Sequence, residues 1–446
     1  MTALSGTVRR GYASGGVATG TYATVPGLLL LPYLTDVIGI GAALAGLVVF
    51  LPKAWDFFWN PVAGRVSDRK VLAGGSRRPF LIRAGTLMAL CFGLIFSGPT
   101  TTPGLAVAWV LVAFLACATA YAFFQVPYLA MAAEITDDYT ERTRLMSWRV
   151  IVLTIAILVS GATAPLVVAA VGGAAGYRAM GWYVAALIAV GVLGVWWLTR
   201  AAPTTRHEPA IGTLADQLRL VGGNPHLRTL LTVFVLQAVA TSMLLAGVAY
   251  AARHLLGDPT VSTAMFVAFV GLAVLVTPLW ERFGVRAGKK AGYRLASLIL
   301  LAGLAALLIL RAAGVVPVLV VCSIVGIGYA GTQLFPLAML PDIAAEDAAR
   351  SGSNRIGMIT GAWTGFELLG FALGPAIYGA ILSAGGYVSG GGASGTAASG
   401  AADSTVHQPG SALWAITVGM SVVPAVCVAV SLLVLRGYRL DEVVRA

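Results

Sequence analysis

The sequence predicts an all-α polytopic membrane protein, with twelve transmembrane helices arranged as two six-helix halves. Three observations predict it. The 446 residues are 58% hydrophobic and only 11% charged, against about 25% charged in a soluble domain. Apolar runs of about 20 residues recur along the whole chain, the length a helix needs to cross 30 Å of hydrocarbon. The basic residues collect in alternate loops.

Taken in order, the predicted spans are 14–37, 41–64, 79–98, 104–133, 146–172, 177–199, 227–252, 260–283, 291–311, 315–340, 354–384 and 411–435. The first follows Arg9 and Arg10, is long enough to cross, and shows no cleavage site of a signal peptide. The second runs into the basic stretch GRVSDRK and then RRPF. The fourth is broken by Pro127, which frees a backbone carbonyl nearby. After the sixth comes a stretch with Pro203 and Pro209 and an amphipathic piece, GTLADQLRLV, read as a linker with one short interfacial helix. The expected organisation is therefore a bundle over 1–200, a cytoplasmic linker over 201–226 and a second bundle over 227–446. Between the last two spans, residues 385–410 are rich in Gly, Ser and Ala and read as a flexible external loop.

Of the 29 Lys and Arg, all but Lys53, Arg178, Arg253 and Arg311 fall on one side of this map. By the positive-inside rule that side, with both termini, is cytoplasmic, which suits an inner-membrane protein. The net charge of +11 is thus an orientation signal helped by anionic lipid, not a nucleic-acid footprint. Cys91, Cys117, Cys322 and Cys427 all fall in spans and read as apolar fillers, not as a disulfide or metal framework. The chain carries no GxxxxGK[ST], HExxH or GxSxG sequence, so neither ATP drive nor an enzyme is expected.

An internal repeat supports the two halves. LAMAAEITDDYTER (129–142) and LAMLPDIAAEDAAR (337–350) align without gaps, Glu134 with Asp342 and Arg142 with Arg350. Both lie at the cytoplasmic end of a span, six spans apart. Parallel repeats of this kind build transporters that hold solute near the bilayer midplane.

The polar residues inside spans are the candidate site. Lys53, Asp56 and Asn60 follow i, i+3, i+7 spacing and share a helix face. A charge at the centre of a span costs about 2.5–3.5 kcal/mol on insertion scales, so it is kept for a reason. Either it faces a cavity and binds a cation, or Lys53 and Asp56 form a structural pair. One carboxylate and one amide oxygen make a weaker sodium cage than two carboxylates. A single desolvated carboxylate can exchange a proton instead, since burial disfavours its charged form. Proton coupling is preferred over sodium on this ground. Glu367, with Trp363 one turn before it, suits a polar solute group. Gln125, Tyr128 and Tyr121 in the fourth span offer hydrogen bonds and a stacking face. Asp68 with Arg69, Glu134 with Arg142 and Arg149, and Asp342 with Arg350 read as cytoplasmic latches between the halves.

GRVSDRK with RRPF resembles the loop signature of the major facilitator superfamily. KAWDFFWNP, VPYLAMAAEIT and PLAMLPDIAAED resemble the glycoside–pentoside–hexuronide:cation symporters, a group that includes sugar carriers and lysolipid carriers. The resemblance implies a monomeric secondary transporter of a sugar or glycoside, coupled to H+ or Na+, that alternates access by rocking its halves. It implies no resident cofactor or metal. Against the family pattern, Asn60 replaces a second Asp of the cation site. A position near Gly20 and Gln125 itself stand where the sugar carriers have Asp, and Glu367 stands at or near a usual Lys. An exporter or mover of an amphipath on the same fold, and a scaffold that transports nothing, are the other readings.

Overall fold

A computed structural model describes residues 4–72, 77–136, 139–200, 202, 214–351, 355–390 and 407–438. Among the described residues the chain is helical. The helices are α1 (Gly6–Val37), α2 (Ala42–Leu72), α3 (Arg78–Ile95), α4 (Pro103–Ile135), α5 (Tyr139–Val171) and α6 (Gly173–Leu198), then α7 (Leu214–Gly223). They continue as α8 (Pro225–Leu255), α9 (Val261–Ala287), α10 (Lys289–Arg311), α11 (Val315–Ser351), α12 (Ile356–Ala384) and α13 (Gly410–Leu435). All but α7 are long and apolar enough to cross a membrane, giving twelve spans among the described residues.

Local chemistry sets several boundaries. α1 starts at Gly6, earlier than its apolar run, because Ser5 caps it by accepting the Val8 N–H. Proline opens α4 and α8, where a missing N–H costs nothing. Asn224 accepts the Leu227 N–H and separates α7 from α8. α1 and α8 both finish in a π-helical turn, Tyr33–Val37 and Ala251–Leu255. At the base of the 389–406 segment, the Gln408 amide accepts from Val388 N–H and donates to Val388 C=O. Residues 391–406 of the expected external loop, and 203–213 of the linker, lie outside the described residues.

The chain divides into two compact units: residues 1–40, 51–209 and 389–406 form one, and 41–50, 210–388 and 407–446 the other. The division differs from the expected boundaries at the start of α2. There Gly46 lies so close to α12 that a Cβ would sit 2.9 Å from the Pro375 carbonyl oxygen, so residues 41–50 group with the second unit. Each unit repeats one packing order. In the first, α1 packs on α5 and α6, and α3 on α4 and α6. In the second, α8 packs on α12 and α13, and α10 on α11 and α13.

Glycines allow the tight crossing of α1 and α5. A Cβ on Gly16 would fall 2.8 Å from Leu153 N, and one on Gly20 would fall 2.7 Å from Leu153 O. In the second unit, Gln237 of α8 ties three helices together. Its amide donates to Ser297 of α10 at 2.9 Å and Ser431 of α13 at 3.0 Å, and accepts from Tyr293 at 2.9 Å. Every polar group in that network is satisfied, as a buried network inside hydrocarbon requires.

Candidate functional site

In the first unit the polar atoms behave differently. Asp56 is 1% exposed and its Oδ1 has no hydrogen-bond partner among the described residues. Asn60 Oδ1, one turn further along α2, is likewise buried and unpartnered. Gln125 Oε1 on α4 and the Tyr22 hydroxyl on α1 are further buried atoms without a partner, the phenol within electrostatic reach of Asp56. Leaving a buried polar group unpaired costs about 1–3 kcal/mol, so the Asp56 and Asn60 oxygens beside that phenol mark a place where something else supplies the partners.

Lys53 lies within electrostatic reach of Asp56, but no ion pair joins them among the described residues. The structural-pair reading therefore lacks its contact. The aromatic residues of this unit divide into two groups. Tyr121 stacks on Tyr22 with ring centroids 4.0 Å apart, beside the unpartnered atoms. Tyr128, nearly two helical turns further along α4, is fully buried, donates its hydroxyl to the Tyr12 carbonyl at 2.7 Å and stacks on the Tyr12 ring. Its hydroxyl proton is therefore committed to joining α4 to α1. Arg149 of α5 lies over the Tyr128 ring, 5.5 Å from its centroid. Trp55 and Trp59 line α2 toward α4, where Trp55 donates to Thr119 and Trp59 meets Phe123.

In the second unit, Glu367 is half-buried on α12 and makes no hydrogen bond or ion pair among the described residues. Tyr329 of α11 lies within its electrostatic reach. Trp363 is 2% exposed and packs on Phe234 at 4.5 Å within the apolar core, with its indole N–H unpartnered.

The latch residues pair otherwise than their spacing suggested. Glu134 binds Arg77, Nε to Oε1 at 2.7 Å. Asp342 binds Lys289 at 2.6 Å and not Arg350, which reaches Glu346 at 3.3 Å. Eight residues along a helix rise about 12 Å, too far for Asp342 and Arg350 to meet on α11. The repeated acid instead meets the basic residue at the start of α3 or α10, within its own unit and not across the two. Two more pairs form at helix ends: Arg9 with Glu141 at 3.0 Å, and Arg355 with Asp347 through two bonds of 2.9 and 2.7 Å. Arg69 is exposed; the side chains of Asp68 and Arg142 lie outside the described residues.

Sequence reasoning missed Tyr22, Arg77 and Lys289. A tyrosine in a glycine-rich apolar helix carries no spacing signal, and the two basic partners come from 57 and 53 residues away.

Among the described residues, twelve helices long and apolar enough to cross a membrane, in two similarly packed units with unpaired polar atoms inside the spans, have the layout of a membrane transporter. A family profile described as MFS/sugar transport protein matches residues 11–442. The chain belongs to that family, the glycoside–pentoside–hexuronide symporter branch of the major facilitator superfamily. It is 27% identical over 457 residues to a putative glycoside/cation symporter of Escherichia coli, covering 99% of this chain and 94% of the relative. It is 26% identical over 430 residues to an isoprimeverose transporter of Lactiplantibacillus pentosus, covering 93% and 84%. Among solved structures, an inward-facing, occupied bacterial homologue of the human lysosomal transporter Spinster aligns with a TM-score of 0.68 at 14% identity, over 98% of this chain and 95% of that one. That likeness shows the fold alone.

Proposed function

We propose that this chain is a cation-coupled symporter of a sugar or glycoside, working by alternating access in an inner membrane with both termini cytoplasmic. The observation that carries the reading is the Asp56 carboxylate, buried in a span with Oδ1 unpartnered and no ion pair to Lys53. A coupling cation supplies what that oxygen lacks, with Asn60 Oδ1 as a second ligand and Lys53 as the nearby positive charge that limits occupancy. The proton is the preferred ion, since Asn60 removes one carboxylate from the sodium cage. In the first unit Gln125 and Tyr121 on α4 are the solute-facing residues, with Tyr128 acting through the helix contact it fixes; in the second that role falls to Glu367 on α12, with Trp363 acting through its core contact with Phe234. Glu134, Asp342, Arg350, Arg149, Arg69, Asp68 and Arg142 belong to the cytoplasmic gate. The sugar class is supported by the carbohydrate relatives and by an acceptor-rich site, which suits the hydroxyl donors of a polyol. The protein acts as a monomer, one chain holding both halves.

Uptake into proteoliposomes tests this, with a panel of pentosides and glycosides and with proton and sodium gradients imposed separately. Wild type should accumulate at least one sugar under the proton gradient, and Asp56→Asn should only equilibrate it. If neither gradient drives accumulation, or Asp56→Asn accumulates as wild type does, symport at Asp56 is wrong.

A further inference from the structure

We infer that Tyr22 is a specificity-determining residue of the transport site, its phenol hydrogen-bonding a hydroxyl of the carried polyol beside Asp56. This rests on the sugar-symport reading and adds to it a residue of the first span.

The tyrosine is 6% exposed and its hydroxyl has no partner among the described residues. Buried phenols ordinarily find one. Thr19 and Thr24 of the same helix do so on their own backbone, bonding Gly15 C=O and Gly20 C=O; the Thr21 hydroxyl, also without a partner, lies with Val152 and Ala156 of α5 in a separate apolar groove. The phenol of Tyr22 is carried too far from α1 for that. Its ring is held by the stack on Tyr121, 4.0 Å between centroids and 23° between planes, so the hydroxyl is aimed and not free to swing. Asp56 of α2 and Cys117 of α4 lie within its electrostatic reach.

The unpartnered atoms on α2 and α4 are Asp56 Oδ1, Asn60 Oδ1 and Gln125 Oε1, the first within electrostatic reach of the phenol. All three accept and none donates. The phenol is the one member of the set that can do both, so it can give a proton to a sugar oxygen while the others receive from sugar hydroxyls. Helix geometry explains why position 22, and not 20, supplies it. Two residues apart on a helix are about 200° apart. Gly20 faces α5, against Leu153, which turns Tyr22 toward α2 and α4.

The test combines uptake with accessibility. Isoprimeverose and the pentoside panel are the transport probes. Tyr22→Phe, which keeps the stack, should raise KM about tenfold, as loss of one buried hydrogen bond to solute does, with maximal rate within about twofold. Thr24→Val should leave both parameters unchanged. In a chain with its four cysteines replaced by serine, Tyr22→Cys should react with a water-soluble methanethiosulfonate as Asp56→Cys does, and isoprimeverose should slow both. If Tyr22→Phe shifts no KM while wild type transports, the assignment falls and the symport reading stands. If wild type carries no sugar, the symport reading falls. In that case a reactive Tyr22→Cys still supports a solvent-reachable site at this residue, and an inert Tyr22→Cys beside a reactive Asp56→Cys overturns it.

Discussion

Glu134→Gln and Asp342→Asn remove the same charge from the two copies of one repeat, yet their costs should differ severalfold. The difference comes from burial. The Arg77–Glu134 pair has side-chain exposures of 8% and 12%, with Nε and Oε1 2.7 Å apart. The Lys289–Asp342 pair is equally short at 2.6 Å but 39% and 29% exposed. Removing one partner of a buried pair costs about 3–5 kcal/mol, because the remaining charge keeps its desolvation penalty. Water screens a half-exposed pair and re-solvates the survivor, leaving about 0–1 kcal/mol. The expected gap of at least about 2 kcal/mol is some thirtyfold in a folding equilibrium. Urea unfolding of the detergent-solubilised protein, followed by the fluorescence of its 10 tryptophans, reads it. Joint replacement Arg77→Met with Glu134→Leu should recover most of the loss, since apolar residues carry no stranded charge. Equal losses in the two single variants, or a double variant no better than Glu134→Gln, would refute the burial argument.

Gln237→Leu should destabilise by about 2 kcal/mol in the same assay, from three interhelical hydrogen bonds at about 0.6 kcal/mol each within a membrane. Gly20→Asp should lower the yield of folded protein and gain no transport, because its Cβ meets Leu153 O at 2.7 Å. Size-exclusion of the detergent extract checks the first part and vesicle uptake the second. Glu367→Gln should weaken uptake of whichever sugar proves to be carried while Trp363→Phe, which keeps the contact with Phe234, changes it less. The reverse order would move the solute contact to the indole.

Much of the fold was legible because hydrophobic length is a local property. The run at 104–133 became Pro103–Ile135, and GTLADQLRLV contains most of the helix Leu214–Gly223. What was not legible begins where a side chain's partner is remote. Asp56 could be found from the cost of its charge in a span, but its lack of an ion pair with Lys53 depends on rotamers that i, i+3 spacing leaves open. The latch acids were legible as a repeat, whereas their partners Arg77 and Lys289 lie on neighbouring antiparallel helices. Trp363 shows the opposite error. An indole one turn from a carboxylate suggested a solute contact, while its ring lies in the apolar core against Phe234.

Most of the α1 span is buried, 89% of its apolar window, whereas only 28% of the α5 window is. The glycines that press α1 onto α5 thereby insulate the helix bearing Tyr22 from the bilayer and leave α5 to meet the acyl chains. Changes in lipid thickness or saturation reach the polar cluster second-hand, through the α5 backbone at Leu153. Under the proposed symport, a change of lipid is therefore expected to alter the rate of transport more than the choice of solute.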